Sequence, residues 1–274
     1  MPEVYWSLAN SHCSSLKKRR THMQSVENDL QRIMLELLSR EAVPVDKIER
    51  KILILSTPRC GSTLFCDVLN RFGGLGECRE WFNPRYIEAY CQVAQESEFI
   101  FQRYFEFIAS RTMRDSKTFV ANVHIGNVRG LMTQKKVNLL NWGFDQICYL
   151  TRRHKLRQAI SLVRAHSSDQ WQAAPTGNKQ IAVEVSYAQI ASALDFILKD
   201  EQFYRQHLQK FVSQEFCYEI FQDLSAPEGF GRLFEWLEVE CDAELWTHMP
   251  RQSDVVTDQL EDSFTAYIRG CQQT

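Results

Sequence analysis

The chain has 274 residues, of which 44% are hydrophobic and 24% charged, with a formal net charge of −2. Such a composition suits a soluble globular protein with a full core, and it excludes both a disordered chain and one whose whole surface is a basic nucleic-acid footprint. No run approaches the roughly 18 to 20 apolar residues of a membrane-spanning helix, and the N-terminus MPEVYWSLANSHCSSLKKRR lacks the basic-then-apolar order of a secretory leader, so the expected location is cytoplasmic.

Nine cysteines are scattered without a CxxC pair or a Cys/His cluster. Free thiols and no metal site are expected. Cys60 stands apart, because a thiol beside Arg59 at a helix N-terminus is expected to have a lowered pKa.

Residues 1–47 read as an N-terminal extension with one amphipathic helix from Val26 to about Arg40, its stripe made by Leu30, Ile33, Met34, Leu37 and Leu38. The KKRR at Lys17 to Arg20 reads as a solvated face. Residues 48–274 read as one domain. It opens with KILILSTPRCGSTLFCDVLNRF (Lys51 to Phe72): an apolar strand at Ile52 to Leu55, a polar turn from Ser56 to Thr63, then a helix with Leu64, Phe65, Val68, Leu69 and Phe72 on one side. The first turn of a helix presents unpaired N–H groups and the positive end of the dipole. Gly61 permits close approach of backbone to ligand, Ser62 and Thr63 cap and donate, and Arg59 adds a planar cation. The turn is therefore a candidate anion loop. It lacks the lysine of the GxxxxGK[ST] phosphate loop, since position 62 is Ser.

The loop GGLGECREWFNPRY (Gly73 to Tyr86) carries Glu77, Glu80, Trp81 and Phe82. A carboxylate beside large aromatics near an anion loop is a candidate general base; a surface loop with an aromatic anchor explains the same residues equally well. Helical, aromatic-rich sequence runs from Ile87 to Arg111, a strand from Phe119 to Ile125, and a helix from about Val128 to Asn138. His124, on that strand, reads as a hydrogen-bonded core residue or as a group facing the crevice. The next informative stretch is FDQICYLTRRHKLRQAISLVRAH (Phe144 to His166): a strand at Ile147 to Leu150, the cations Arg152 and Arg153 at its end, and a helix. Ser161 lies eight residues after Arg153, so a second anion could bind between them. A polar loop with Trp171 follows from Ser167 to Lys179. A long helix runs from Tyr187 to Phe211, a strand from Phe216 to Ile220, a helix from Phe230 to Leu237, and a polar cluster, Arg251 to Asp254, precedes a last helix. Strands alternating with helices predict an α/β fold: a P-loop-like three-layer domain with a central parallel sheet and helices on both faces.

Taken together, TPRCGSTLFCDVL, GECREWF, YLTRRHKLRQAISLVRA, FQDL (Phe221 to Leu224) and RQSD resemble sulfotransferases that use 3′-phosphoadenosine 5′-phosphosulfate (PAPS), and among them the Stf0-type, trehalose 2-sulfotransferase-like branch of bacteria. The resemblance covers the chain from about Lys51 onward. It implies sulfuryl transfer from PAPS to a hydroxyl of a carbohydrate or glycolipid acceptor, releasing adenosine 3′,5′-bisphosphate, without a metal. Arg59, Cys60, Gly61, Ser62 and Thr63 would hold the phosphosulfate, with Arg59 also catalytic. Arg153 and Ser161, aided by Arg251, would hold the 3′-phosphate. Glu80 would be the general base, and Glu77, Trp81, Phe82 and Trp171 would meet the acceptor. Two positions depart from the pattern: Cys60 stands where serine is common, and Asn122 where the branch often has lysine. Neither a nucleic acid nor a membrane span is implied, and a homodimer is compatible. The competing readings are a nucleotide-dependent kinase, disfavoured by the missing lysine, and a PAPS- or sugar-binding protein without turnover.

Overall fold

The apolar run Ile52 to Leu55 lies at the centre of the molecule. In the computed structural model, which describes residues 29–72, 74–113, 116–168, 185–221, 227–240 and 255–271, it belongs to β1 (Arg50–Ser56). β1 pairs with β2 (Thr118–His124) on one side and β3 (Gln146–Thr151) on the other, and β4 (Gln214–Cys217) pairs with β3. All the pairings are parallel and the order is β2-β1-β3-β4. A parallel strand buried on both faces must be apolar at every position, which is why β1 shows no alternation.

Successive side chains of β1 feed different cores. Leu53 and Leu55 join one cluster with Phe119, Ala121, Val123, Ile147 and Tyr149, while Ile52 and Ile54 join another with Val120, Cys148, Leu150 and Phe216. The first cluster is covered by α3 (Pro84–Val93), α4 (Phe101–Thr112) and α5 (Ile125–Gln134), together with Met34 and Leu37 of a helix at 29–39, α1. The second is covered by α2 (Ser62–Phe72), through Phe65, Cys66 and Leu69, and by the helical segments α8 (Tyr218–Phe221) and α9 (Pro227–Leu237). Helices thus lie on both faces of a parallel sheet, an α/β architecture of three layers. A third cluster joins α6 (Lys155–Ser168), α7 (Tyr187–Phe203) and α10 (Val255–Cys271) through Ile160, Val163, Ile190, Ile197 and Phe264.

Several boundaries differ from expectation. The helical stretch from Ile87 to Arg111 is two helices, α3 and α4, separated after the cap at Ala94. The α-helix beginning at Tyr187 ends at Phe203, and the chain continues as a π-helical turn over Tyr204–Leu208. The last strand ends at Cys217, earlier than the apolar run suggests, and Tyr218 already belongs to α8. There Glu219 turns back to accept backbone N–H groups of Arg153 and His154, so the chain leaves the sheet. Residues 1–28, Trp171, Arg251 and the segment Gln222 to Leu224 lie outside the described residues, and with them the KKRR and RQSD motifs.

Candidate functional site

Because the strands are parallel, their C-terminal ends share one edge: Ser56 is opposite His124 and Leu150, and Thr151 is opposite Cys217. In open parallel sheets the ligand crevice lies outside this edge. The loop from Thr57 to Gly61 leaves β1 there and turns into α2. Its tightness requires left-handed backbone at two positions, Arg59 at φ 63° and Gly61 at φ 94°. Gly61 also has no room for a side chain, since a Cβ would lie 2.3 Å from Cδ2 of Tyr218. Gln158 ties the loop to α6 by donating to Thr57 Oγ1 at 2.9 Å and to the Pro58 carbonyl at 2.7 Å.

Arg59 is half-buried, and its Nε donates to Ser161 Oγ at 3.0 Å, 102 positions away in the chain. The sequence places these residues in two separate anion sites; the structure brings them into contact. Arg153 is not with them. It is exposed, its Nε 3.3 Å from Cys217 Sγ, while its backbone N–H and that of His154 donate to the Glu219 carboxylate at 3.0 and 3.1 Å. A protein carboxylate thus occupies the N-terminus of α6, where a second ligand anion was expected. Burial pushes the Glu219 carboxyl up, but the bonds from the Cys217 thiol and those two N–H groups outweigh it and hold it down at about 2.

The expectation for Cys60 is corrected. Its side chain is fully buried, packed with Phe65 and Leu69, and burial raises the thiol to about 11 despite opposing backbone hydrogen bonds from Thr57 and Ser62. Only its backbone remains as a ligand contact. Ser62 is buried and Thr63 exposed at the start of α2.

The loop before α3 is also rearranged relative to expectation. Trp81 and Phe82 are fully buried and present no face to a sugar. Trp81 Nε1 donates to the Glu77 carbonyl at 2.8 Å, and Phe82 stacks on Phe101 with ring centroids 5.7 Å apart. Glu77 is buried between two guanidiniums, Arg40 at 2.7 Å and Arg79 at 2.6 Å. Burial pushes its carboxyl up, and those two bonds bring it net below the usual range. Glu77 therefore anchors this loop and is not positioned as an acceptor-site carboxylate.

Glu80, also at this edge, keeps access to solvent, with its side chain 30% exposed. His124 Nε2 lies 3.0 Å from Oε1, and Asn83 Nδ2 donates to Oε2 at 3.0 Å while Asn83 Oδ1 caps α3. Sequence reasoning singled it out as a candidate general base beside large aromatics. Burial does push it up, but the His124 charge and the hydrogen bonds from His124 and Asn83 prevail, and it sits at about 2.

His124 is held at both ring nitrogens. The Ser56 hydroxyl donates its one proton to Asn122 Oδ1 at 2.8 Å, and His124 Nδ1 lies 2.9 Å from the same Oγ. Both ring nitrogens of His124 therefore face oxygen atoms, Nδ1 the Ser56 hydroxyl and Nε2 the Glu80 carboxylate, an arrangement that favours the protonated ring. Burial lowers the pKa of His124, but the Glu80 charge and hydrogen bond, with Asp200 behind them, raise it overall. Asn122, fully enclosed, leaves its Nδ2 without a partner.

Of the residues that matter here, sequence reasoning missed the Tyr218 ring over Gly61, the Glu219 clasp and the pairing of His124 with Glu80. The signal for the first two was their position just past a strand end at the ligand edge. Among the described residues no group of acidic, histidine or cysteine side chains is arranged to hold a metal. A groove of about 440 Å³ between residues 42–45 and α4 shares no residue with this edge. No helix among the described residues is long and apolar enough to cross a membrane.

No protein-family model matches the chain, and no curated protein matches it. Among solved structures it is similar to the sulfotransferase domain from the curacin biosynthetic pathway, at 18% identity and a TM-score of 0.43, over 80% of this chain and 83% of that one. It is also similar to the sulfotransferase domain from the Synechococcus PCC 7002 olefin synthase, at 15% identity and a TM-score of 0.39, over 82% and 96%. At these values the likeness carries no weight on substrate or residue roles.

Proposed function

We propose that the protein is a PAPS-dependent sulfotransferase that acts on a hydroxyl of a carbohydrate or glycolipid acceptor. The observation that carries this reading is the meeting, at one sheet edge, of a strained arginine-bearing loop at a helix N-terminus with a carboxylate held in place by a histidine. The residues present fit the phosphosulfate end of the donor. Arg59, Gly61 and the start of α2 would hold its phosphosulfate, and the partnerless Asn122 amide is a neutral donor on the strand where the branch it resembles often has a cation. PAPS, when bound, supplies an activated sulfuryl group whose low charge needs arginines and N–H groups rather than a metal.

The chain's own groups do the rest. Arg59 is oriented by Ser161 before any ligand arrives. Glu80 is fixed by His124 and Asn83, and each of its oxygens keeps a lone pair for the acceptor hydroxyl. With a carboxyl at about 2, Glu80 orients the hydroxyl and accepts its proton only as the oxygen loses electron density to the new bond. The low basicity of Glu80 also favours a second reading, a protein that binds the donor and does not turn over.

The test is a transfer screen with labelled PAPS against sugars, glycolipids and small alcohols, run with and without EDTA. Transfer that survives EDTA, with Glu80→Gln lowering kcat roughly 10²- to 10⁴-fold at unchanged donor affinity, is the expected result. Binding of PAPS without transfer to any acceptor selects the second reading. Phosphoryl transfer from ATP dependent on magnesium would refute both.

A further inference from the structure

The end of β3 carries two adjacent arginines that the fold treats in opposite ways. Arg153 points to solvent and to the Cys217 and Glu219 side. Arg152 turns into the loop, where its NH1 donates to the Arg59 carbonyl at 3.2 Å and its guanidinium lies 4.9 Å from the centroid of the Tyr218 ring. The same ring closes over Gly61. Arg152 is thus clasped to the anion loop from two sides.

Its position is electrostatically unfavourable as it stands. Arg152 Nε is shut off from water and has no hydrogen-bond partner. Glu219, the carboxylate that acts on it, spends both oxygens on the backbone N–H groups of Arg153 and His154. Burial lowers the pKa of Arg59, and the neighbouring Arg152 lowers it further. A half-buried guanidinium with an idle donor, bonded to the backbone of the loop that carries a second one, forms an arrangement that an oxyanion at that loop would relieve.

We infer that Arg152 is the second cation of the anion loop, binding with Arg59 and the start of α2 a tetrahedral oxyanion. That this oxyanion is the phosphosulfate of the donor rests on the proposed function; the site itself does not. Arg153, the arginine that sequence spacing selects, lies outside it.

The test measures affinity calorimetrically for two probes, inorganic pyrophosphate and adenosine 3′,5′-bisphosphate, on the full chain and on Arg152→Met, Arg152→Lys and Arg153→Met. Arg152→Met is expected to weaken both probes roughly 10- to 100-fold, the range of a lost charge-assisted contact. Arg152→Lys, which keeps charge and loses the fork, should lose less, and Arg153→Met should leave pyrophosphate within about twofold. Equal losses in Arg152→Lys and Arg152→Met would mean that Arg152 only packs on Tyr218, and overturn the inference, as would wild-type affinity in Arg152→Met. Should Arg152→Met fail to fold, Arg152→Lys decides alone: a roughly 3- to 10-fold loss supports the site and no loss refutes it. Pyrophosphate binding that depends on Arg152, with no preference for the bisphosphate, keeps the site and removes the PAPS reading. Bisphosphate binding indifferent to Arg152 does the reverse, and wild-type protein that binds neither probe overturns both.

Discussion

Replacing His124 and Glu80 by glutamine, singly and together, isolates the contact on which the proton chemistry depends. The Glu80 carboxyl falls from the 4.5 of a solvated glutamate to about 2, and at about 1.4 kcal/mol per tenfold in proton affinity this is worth about 3 kcal/mol. Asn83 supplies part of it, and the side chain is 30% exposed, so the coupling to His124 alone is about 1.5 to 2 kcal/mol. Each single variant should therefore melt about 4 to 8 °C below wild type, and the double variant well short of the sum. The pH dependence is the sharper readout. Glu80 has a depressed pKa, so its contribution is present above 4.5 and lost as pH falls toward about 2. His124 has a raised pKa, so its contribution is full below 6.5 and lost as pH rises through the folded value. The coupling should thus peak at about pH 4.5 to 6.5 and shrink on both sides. Thermal melts followed by circular dichroism at about pH 3, 5.5 and 9 give the double-mutant cycle. A coupling under about 0.5 kcal/mol at pH 5.5, or one equal at all three values, would refute a charge coupling between His124 and Glu80.

Other outcomes follow from single contacts. Gly61→Ala forces a Cβ to within 2.3 Å of the Tyr218 ring at φ 94°, so it should lower stability by about 1 to 3 kcal/mol and abolish pyrophosphate binding, both read in one thermal-shift titration. Native protein treated with iodoacetamide at about pH 8 should leave Cys60 unmodified while exposed Cys271 reacts, because burial raises the Cys60 thiol to about 11; peptide mass spectrometry checks this. Glu219→Gln removes the charge from the N-terminus of α6 and should cost about 0.5 to 1 kcal/mol at pH 7 after allowance for its exposure. Since the Glu219 carboxyl sits at about 2, that difference should fade as pH drops from 4.5 toward about 2, which denaturant melts at pH 7 and 3 would show.

By itself the sequence determined the elements whose signal is local. The unbroken apolar run of β1, the helical spacing in α2 and the strand-to-helix change after Leu150 are each written within about 20 residues, and alternation of such units leads to a parallel sheet. The anion loop was legible for the same reason, since Arg59, Gly61, Ser62 and Thr63 are consecutive or nearly so along one turn. Tertiary structure alone decided which way the side chains went. Trp81 and Phe82 look like sugar platforms in a loop, yet each removes enough apolar area from water by turning inward that the core takes both. Glu80 gains its partner from β2 because parallel register sets His124 beside Ser56. Arg59 meets Ser161 across 102 positions, and two adjacent arginines part company because one can reach a loop carbonyl and a tyrosine ring while the other meets a thiol and solvent. Local pattern fixes the backbone path, and the competition for partners among long polar side chains is settled only when distant strands bring their ends to one edge.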